Sequence, residues 1–515
     1  MSPESYGLFV GFDDGFLLSA AESFGRVHPS QRWPFKPAHS STGVLAAPPL
    51  VELHLTAWRD RHRCGIAGQL LLAQSVSRLD EIALMCDRVF VRPVSNQDQQ
   101  LYLGRLIELL ASFVDGEKIE YCVFSATPHF AWDGLLALLM RRQGVPVFSL
   151  GPTQIDQRIV VRQFFKNLSD STLLTRTSFG TQEVDSIANL VRTDVVGMDR
   201  ARSTRLSNAG RLLEPSGHAK SKSLRSFLAR IPLGLGWRRT VTGLAWSKAI
   251  RDGNYFWVMR RGSTTVLGVV RKFQLFWHLR LIRKLAVGWP NQAGVLFLLH
   301  FQPERSTDPE AGVRRHQVTA VRELRALLDA CGLEEMPIFV REHPRQLSGN
   351  DPDFRKILTR SASFYREICL IQNVFLLDPH LEWQEKLGRW KLVVSVNGSG
   401  AWEAAIGGRP SITFVRTWHS GCTATPVLDT VQDQRLMKSL LEMSADEVKE
   451  ALSLFLREEV VTHAGSMDNA HVRAEDAGIV QEDLVKLFVR LRSYVTTQKS
   501  SRGGCGSSDA HGESL

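Results

Sequence analysis

The chain has 515 residues, 43% of them apolar and 23% charged, which is the composition of a soluble globular protein and predicts two or three domains. No run of 18 uncharged apolar residues occurs, and the N-terminal stretch lacks the basic start of a secretory signal, so we expect neither a membrane-spanning helix nor a signal peptide. The seven cysteines are scattered and form no CxxC pair, which predicts a cytoplasmic protein without a structural zinc site.

The first clear pattern of regular structure lies between residues 121 and 152, after a stretch, 1–110, to which the sequence assigns no fold. A strand (YCVFS), a helix (LLALLMRRQ) and a second strand (VPVFSL) follow one another within about 30 residues. This βαβ pattern predicts a parallel sheet. The loop after the first strand carries His129, and Asp133 follows it. Asp133 is either a functional carboxylate or the N-cap of the helix.

The positive charge of the chain is concentrated in residues 200–290, which hold 19 Lys and Arg against two acids, a net charge of about +17. Leu275, Leu279 and Ile282 recur there at helical spacing, and five tryptophans are interleaved with the charges. Such a segment suits an interfacial helix on an anionic membrane, a basic interdomain linker with a buried apolar face, or a surface for single-stranded nucleic acid. No nucleic-acid-binding signature accompanies it, so we expect no nucleic-acid partner.

The second half repeats the alternation of strands and helices. Its predicted strands are GVLFLL, PIFVRE, NVFLL, KLVVSV and SITFV, with helices expected at about 315–331, 354–368 and 401–406. Both halves therefore read as doubly wound α/β sheets. Ligands of such sheets bind beyond the carboxyl ends of the strands, so the loops at those ends are where we look for chemistry.

Polar and titratable residues follow three of these strands. The stretch VVSVNGSGAWEAAIGGRPSITF contains a strand, a tight glycine-serine loop and a helix start, which together direct backbone N–H groups and a positive helix dipole at an anion such as phosphate. A plain strand-to-helix corner is the alternative, in which glycine only permits the turn. The polar groups at the three strand ends are His300, Gln302 and Glu304, then Glu342 and His343, then Asn397, Gly398, Ser399, Gly400 and Glu403.

Taken in order, FLLHFQPERSTDPEAG, IFVREHPRQ, NVFLL and VVSVNGSGAWEAAIGGRPSITF, with CVFSATPHFAWDGLLALLMRRQGVPVFSL upstream, resemble the capsular polysaccharide biosynthesis proteins, a family that includes capsule β-Kdo transferases. The resemblance spans roughly residues 121–415. It departs from the family pattern at Phe130, where an acidic residue commonly follows the Pro-His pair.

The resemblance implies a glycosyltransferase with two Rossmann-like, doubly wound domains in a GT-B-like arrangement. The second half would bind a nucleotide sugar, most simply a CMP-linked one, and the first half the acceptor. It implies phosphate contacts from Gly398, Ser399, Gly400 and His343, base or sugar contacts from Gln302 and Glu304, and a place for Asn397 among the nucleotide-binding residues. Glu403 would either accept from ribose hydroxyls or only cap the N-terminus of the helix. His129, Asp133 and Glu304 are the candidate catalytic groups, and no bound metal or resident cofactor is expected because no DxD pair follows a strand.

The expected organisation is an acceptor-side domain at 1–200, a basic helical linker at 201–290, a nucleotide-sugar domain at 291–495 and a disordered tail at 496–515. The acceptor would be a lipid-linked saccharide, with the protein in the cytoplasm at the inner membrane face. Two other functions stay open: a teichoic-acid-type transferase that uses a CDP-polyol, and an inactive scaffold of a polysaccharide assembly complex, which Phe130 favours.

Overall fold

A computed structural model of the chain describes residues 6–10, 12, 15–28, 53, 56–57, 60–73, 96–128, 131–153, 158–165, 171–174, 277, 280–302, 311–343, 346, 360–379, 381–428, 434–458, 462–464 and 477–503. His129, Phe130 and Glu304 lie outside these residues, as does most of the basic segment.

The first half is built on one mixed sheet. Its strands and helices, in chain order, are β1 (Tyr6–Val10), α1 (Gly15–Glu22), β2 (Gly25–His28), α2 (Ile66–Ala73), α3 (Asn96–Gly116), β3 (Ile119–Phe124), α4 (Ala131–Arg142), β4 (Val147–Pro152), β5 (Arg158–Phe164) and β6 (Ser171–Leu173). Strands β2, β1, β3 and β4 are parallel neighbours in that order, and β5 continues the sheet antiparallel to β4. The chain order reverses direction across the sheet between β1 and β3, which is the switch point of a doubly wound fold.

The second half holds a five-stranded sheet in which every strand is parallel. Its elements are β7 (Gly294–Leu298), α5 (Gln317–Ala330), β8 (Ile338–Arg341), α6 (Ala362–Cys369), β9 (Val374–Leu377), β10 (Trp390–Ser395), α7 (Ser399–Ile406), β11 (Ser411–Thr413), α8 (Gln434–Glu442) and α9 (Ala445–Glu458). Two further elements follow in the chain, β12 (Thr462–Ala464) and α10 (Ala477–Gly503), and they do not belong to this sheet. Short 3-10 helices cover Arg61–Arg63, Gly312–Arg315 and Trp383–Arg389.

The strand order of the second sheet is β11-β10-β7-β8-β9. The chain starts at the centre with β7, runs outward through β8 and β9, and then crosses back to β10 and β11. The switch point is therefore between β7 and β10. Strands of β-branched and apolar residues such as Gly294–Leu298 suit this position because both faces of the sheet are covered.

Two apolar clusters cover the faces of each sheet, and a further cluster joins the halves. In it Val160 of β5 packs with Trp402 of α7, Trp418 and residues of α9. The class predicted from the sequence, α/β with two Rossmann-like sheets, is confirmed. The antiparallel strands of the first sheet and the elements β1, α1, β2, α2 and α3 were not predicted.

One assignment from the sequence is wrong: the C-terminal part of the expected second domain, at Thr462–Ala464 and 477–495, does not pack on the second sheet. Strand β12 pairs antiparallel with β5, and α10 packs its apolar side on the first sheet, where Phe488 meets Phe9 and Phe12. The helix also continues to Gly503, so residues 496–503 are helical rather than part of a disordered tail. The domain boundaries expected from the sequence otherwise stay predictions.

The end of the basic segment that the structure describes is helical at residues 280–285. Ile282 is buried in the core of the second half, whereas Arg280, Arg283 and Lys284 are exposed, and Arg280 lies over the ring of Trp277. The apolar side of this helix therefore packs on the protein at Ile282, and its cations face solvent. No helix among the described residues is both long and apolar enough to cross a membrane.

Candidate functional site

The three polar loops singled out in the second half lie side by side. Strands β10, β7 and β8 are neighbours, and Ser395, Leu298 and Arg341 are in register at their carboxyl ends. The residues that follow these strands consequently start at the same level of the sheet. The site lies at the switch point, where the crevice of a doubly wound sheet opens.

His300 links the end of β7 to the loop that follows β10. Its Nε2 accepts a hydrogen bond from the backbone N–H of Asn397 at 3.1 Å. A nitrogen that accepts cannot carry a proton, so the neutral ring has its hydrogen on Nδ1. Desolvation of the ring, followed by the nearby His343 and Arg360 side chains, lowers the pKa of His300 to about 3.

The glycine-serine loop passes close to this imidazole. A Cβ added to Gly398 would lie 2.2 Å from Cε1 of His300, so only glycine fits there. Gly398 precedes α7, and Gly398, Ser399 and Gly400 are partly exposed. The first N–H groups of an α-helix have no partner within the helix, so the loop and helix start offer donors at the mouth of the crevice.

Gly400 serves a different purpose from the one expected at a phosphate contact. It lies within α7, and a Cβ added there would meet Cδ1 of Leu298 at 2.5 Å, beneath the helix. The missing side chain at Gly400 thus allows α7 to pack closely on β7. Only the backbone N–H of this residue is a candidate for an anion contact.

A buried ion pair lies under the loops after β7 and β8. Arg360 donates from Nε to Glu342 Oε2 at 3.0 Å, and both side chains are almost fully buried, at 2% and 0% exposure. Glu342 also accepts from the hydroxyl of Tyr365 at 2.9 Å and from the backbone N–H of His343 at 2.8 Å. The carboxylate therefore has three donors, as a buried charge requires.

Arg360 uses its remaining donors to hold the loop after β7. Its Nη1 donates to Oε1 of Gln302 and its Nη2 donates to the carbonyl of His300 at 2.8 Å. The amide of Gln302 also donates to the carbonyl of Arg315 at 2.7 Å, and the residue is 6% exposed. The side chain of Gln302 is thus engaged inside the protein, beneath the crevice.

His343 and Glu403 lie nearer the surface. His343 is partly exposed, and its ring centroid is 6.1 Å from that of Phe301. Glu403 is one turn after Ser399, and its Oε2 accepts from Gln384 Nε2 at 3.4 Å. Both positions are compatible with a ligand lying across the ends of β8 and β10.

In the first half, the structure describes one of the two proposed catalytic groups. Asp133 is the third residue of α4 and is 5% exposed. It is inside the helix, so it is not the N-cap that sequence reasoning offered as the alternative. Helix α4 follows β3, which places Asp133 near the switch point of the first sheet.

Two residues of the site were missed by sequence reasoning, namely Arg360 and Tyr365. Neither follows a strand, and their partners are 18 and 23 residues away along the chain. His300 was noted among the polar residues after β7 but was given no role. Among the described residues, no group of three or more His, Cys, Asp or Glu is arranged to hold a metal ion.

No protein-family model and no curated protein match the chain. Solved structures that overlap it include the UDP-GlcNAc 2-epimerase of Methanocaldococcus jannaschii in complex with UDP-GlcNAc and UDP, at 11% identity, TM-score 0.21, and 78% and 82% coverage of the two chains. The UDP-GlcNAc 2-epimerase of Neisseria meningitidis bound to UDP-GlcNAc overlaps at 11% identity, TM-score 0.18, and 77% and 84% coverage. Similarities this low carry no argument, so the assignment of fold and site rests on the chain's own sheets and contacts.

Proposed function

We propose that this chain is a glycosyltransferase of surface or capsular polysaccharide synthesis that takes a sugar from a nucleotide donor bound across β10, β7 and β8. One observation carries the proposal. The glycine-serine loop at Gly398, the start of helix α7 and the partly exposed His343 all lie at the switch point of an all-parallel sheet. The resemblance to the capsule enzymes supports the choice of a transferase and of a CMP-linked donor such as CMP-Kdo.

Glycosyl transfer requires the site to stabilise the phosphate that leaves the donor. In the transfer, the acceptor hydroxyl forms a bond to the anomeric carbon, gives up its proton to a base, and the bond from that carbon to the nucleotide phosphate breaks with its electron pair on the phosphate oxygen. N–H groups of Gly398 to Gly400 and the ring of His343 are proposed to donate to that oxygen as its charge grows; their partial exposure supports this role. Glu403 would accept from ribose hydroxyls.

The base that receives the acceptor proton is proposed to come from the first half. Asp133, in the first turn of the helix α4 that follows β3, is the described candidate. His129 remains a prediction for the same loop, and Glu304 one for the sugar side of the donor. Gln302 is proposed to shape the donor pocket through its bonds to Arg315 and Arg360 rather than by touching the base.

The acceptor is proposed to be a saccharide on a lipid carrier, reached at an anionic membrane surface. The support for surface contact is the exposure of Arg280, Arg283 and Lys284 and of Trp277, which is 51% exposed and lies next to Arg280. Because Ile282 is buried, contact there would be made by the cations and the tryptophan rather than by an inserted apolar helix face.

The direct test is to incubate the purified protein with CMP-, UDP- and GDP-linked sugars and a capsule-type oligosaccharide, and to follow nucleotide release and glycosylated product. A donor present at a hundredfold its Kd should stabilise the fold by about 2.7 kcal/mol in a thermal-shift assay. Transfer of a phosphopolyol from a CDP-polyol would replace the proposal with the teichoic-acid reaction. Absence of any nucleotide binding would favour the scaffold.

The assignment of His343 is tested by His343→Ala. Removing one donor to the developing charge should lower kcat about 10²–10³-fold, with the urea midpoint of unfolding little changed. His62→Ala, an exposed histidine of the first half, is the control and should leave kcat unchanged. Equal turnover of the two variants would contradict a role for His343 at the phosphate.

A further inference from the structure

His300 follows strand β7, and its side chain contacts the loop that follows strand β10. Its ring accepts the N–H of Asn397, which is 6% exposed, and lies against Gly398 so closely that no side chain fits there. Because Asn397 gives its N–H to the imidazole, the donors left for an anion begin at Gly398. The hydrogen bond from Asn397 to His300 therefore marks the point in the loop after which the backbone N–H groups face the crevice.

Two side chains hold the backbone of His300 through three hydrogen bonds. Gln317 brackets its backbone, with Oε1 accepting from the N–H at 2.7 Å and Nε2 donating to the carbonyl at 3.2 Å. Arg360 donates to the same carbonyl, and Arg360 is anchored by Glu342. A residue so tightly placed can transmit its position to whatever its side chain holds.

We infer that His300 is a positioning residue for the anion-binding loop: its Nε2, by accepting the Asn397 N–H, sets the direction of the Gly398, Ser399 and Gly400 N–H groups. The ligand named here, a nucleotide phosphate, rests on the proposed function. The orientation of the loop rests on the contacts of His300 alone. The competing role is simple packing, in which the ring fills space and its nitrogen is incidental.

Two substitutions distinguish the hydrogen-bond acceptor of His300 from the volume of its side chain. His300→Gln keeps an oxygen acceptor near the place of Nε2, whereas His300→Leu keeps the apolar bulk and removes the acceptor. Hydrogen exchange of the peptide containing Asn397, with no ligand present, is the first measurement. Loss of one neutral hydrogen bond should speed exchange of the Asn397 amide roughly tenfold in His300→Leu, while His300→Gln should stay within about threefold of wild type.

Binding of CMP, UDP and pyrophosphate, each titrated alone, is the second measurement. We expect affinity in His300→Leu to fall by roughly tenfold and His300→Gln to restore most of it. Unchanged Asn397 exchange in His300→Leu, or equal loosening in both variants, would overturn the inference. If wild type binds none of the three probes while the exchange result holds, the proposed function fails and the loop assignment stands.

A third measurement keeps the inference testable if His300→Leu does not fold. Histidine-selective ¹⁵N spectra of the wild-type protein report which ring nitrogens carry hydrogen at neutral pH. The hydrogen bond requires an unprotonated Nε2 at His300, assigned by its loss in His300→Gln. A protonated Nε2 there would refute the inference without any further variant.

Discussion

Buried polar residues determine how the stability of this protein responds to pH, and His419 is the simplest example. Thr425 donates its hydroxyl hydrogen to the carbonyl of His419 at 2.6 Å, so its oxygen accepts from Nδ1 of the same histidine at 3.2 Å. The ring packs against Trp402 and Trp418 and is 1% exposed. Burial lowers the pKa of His419 to about 3.

This burial predicts a loss of stability in acid. The unfolded His419 takes up a proton near its ordinary pKa of about 6.5, whereas the folded one does not until about pH 3, so stability is full above pH 6.5 and falls as the pH drops. The slope from this residue is at most about 1.4 kcal/mol per pH unit. Urea unfolding at pH 7, 6, 5 and 4 should show a shallower decline for His419→Asn than for wild type. Parallel pH profiles would contradict the buried neutral histidine.

The ion pair of Arg360 and Glu342 leads to a second prediction. Arg360→Met leaves the Glu342 carboxylate buried without its cation, which should cost about 3–5 kcal/mol of unfolding free energy. The double variant Arg360→Met, Glu342→Leu should recover part of that loss, because no charge is left unpaired.

The control for this pair is an exposed one. Arg322 and Glu367 lie 3.6 Å apart at 58% and 48% exposure, so Arg322→Met should change the free energy of unfolding by less than about 1 kcal/mol. Chemical denaturation of wild type, Arg360→Met, the double variant and Arg322→Met measures these free energies of unfolding. Equal losses in Arg322→Met and Arg360→Met would show that burial adds nothing to the pair.

At the scale of elements, the strands and helices that carry the site follow from local sequence, and their partners do not. Strand β10 and helix α7 were predicted from a β-branched run followed by glycine and helix-forming residues. The position of α10 on the first sheet was not predicted, because the sequence of an amphipathic helix shows that it has an apolar face but not which sheet that face packs on.

Helix α10 should therefore stabilise the first half. Phe488 packs with its ring centroid 5.0 Å from that of Phe9, and its truncation in Phe488→Ala should cost about 3–5 kcal/mol. The neighbouring Val489 is 52% exposed, and Val489→Ala should change stability by less than about 0.5 kcal/mol. Denaturant melts followed by hydrogen exchange of β1 and β3 measure the difference. If exchange in these strands is unaffected by Phe488→Ala, the helix does not support the sheet.

At the scale of the whole molecule, the uneven charge leads to a prediction about the proposed contact with an anionic membrane. Each cation near an anionic surface contributes about 1 kcal/mol, and the Debye length shrinks from about 10 Å at 0.1 M salt to about 3 Å at 1 M. Co-sedimentation with phosphatidylserine vesicles should therefore fall with salt. Changing Arg280, Arg283 and Lys284 to Glu should move the protein to the supernatant while transfer to a soluble acceptor survives.

The matched control changes three exposed lysines of the second half to Glu, with the same change in net charge: Lys391, Lys438 and Lys449. This variant should still co-sediment. If both triple variants and wild type bind vesicles alike, or if salt has no effect, the basic segment is a packed linker and not a membrane contact.

The sequence by itself determined the α/β class, the order of elements from β3 to β4 and from β7 to β11, and the three strand ends that carry polar residues. These depend on patterns within 5 to 20 neighbouring residues, which hydrophobic periodicity and glycine placement record directly. Only the tertiary structure decided that His300 accepts from Asn397, that Arg360 and Glu342 pair beneath the loops and that α10 returns to the first sheet. Those contacts join residues 18 to 479 positions apart, and their energy comes from burial and charge pairing that exist only after the sheets have formed.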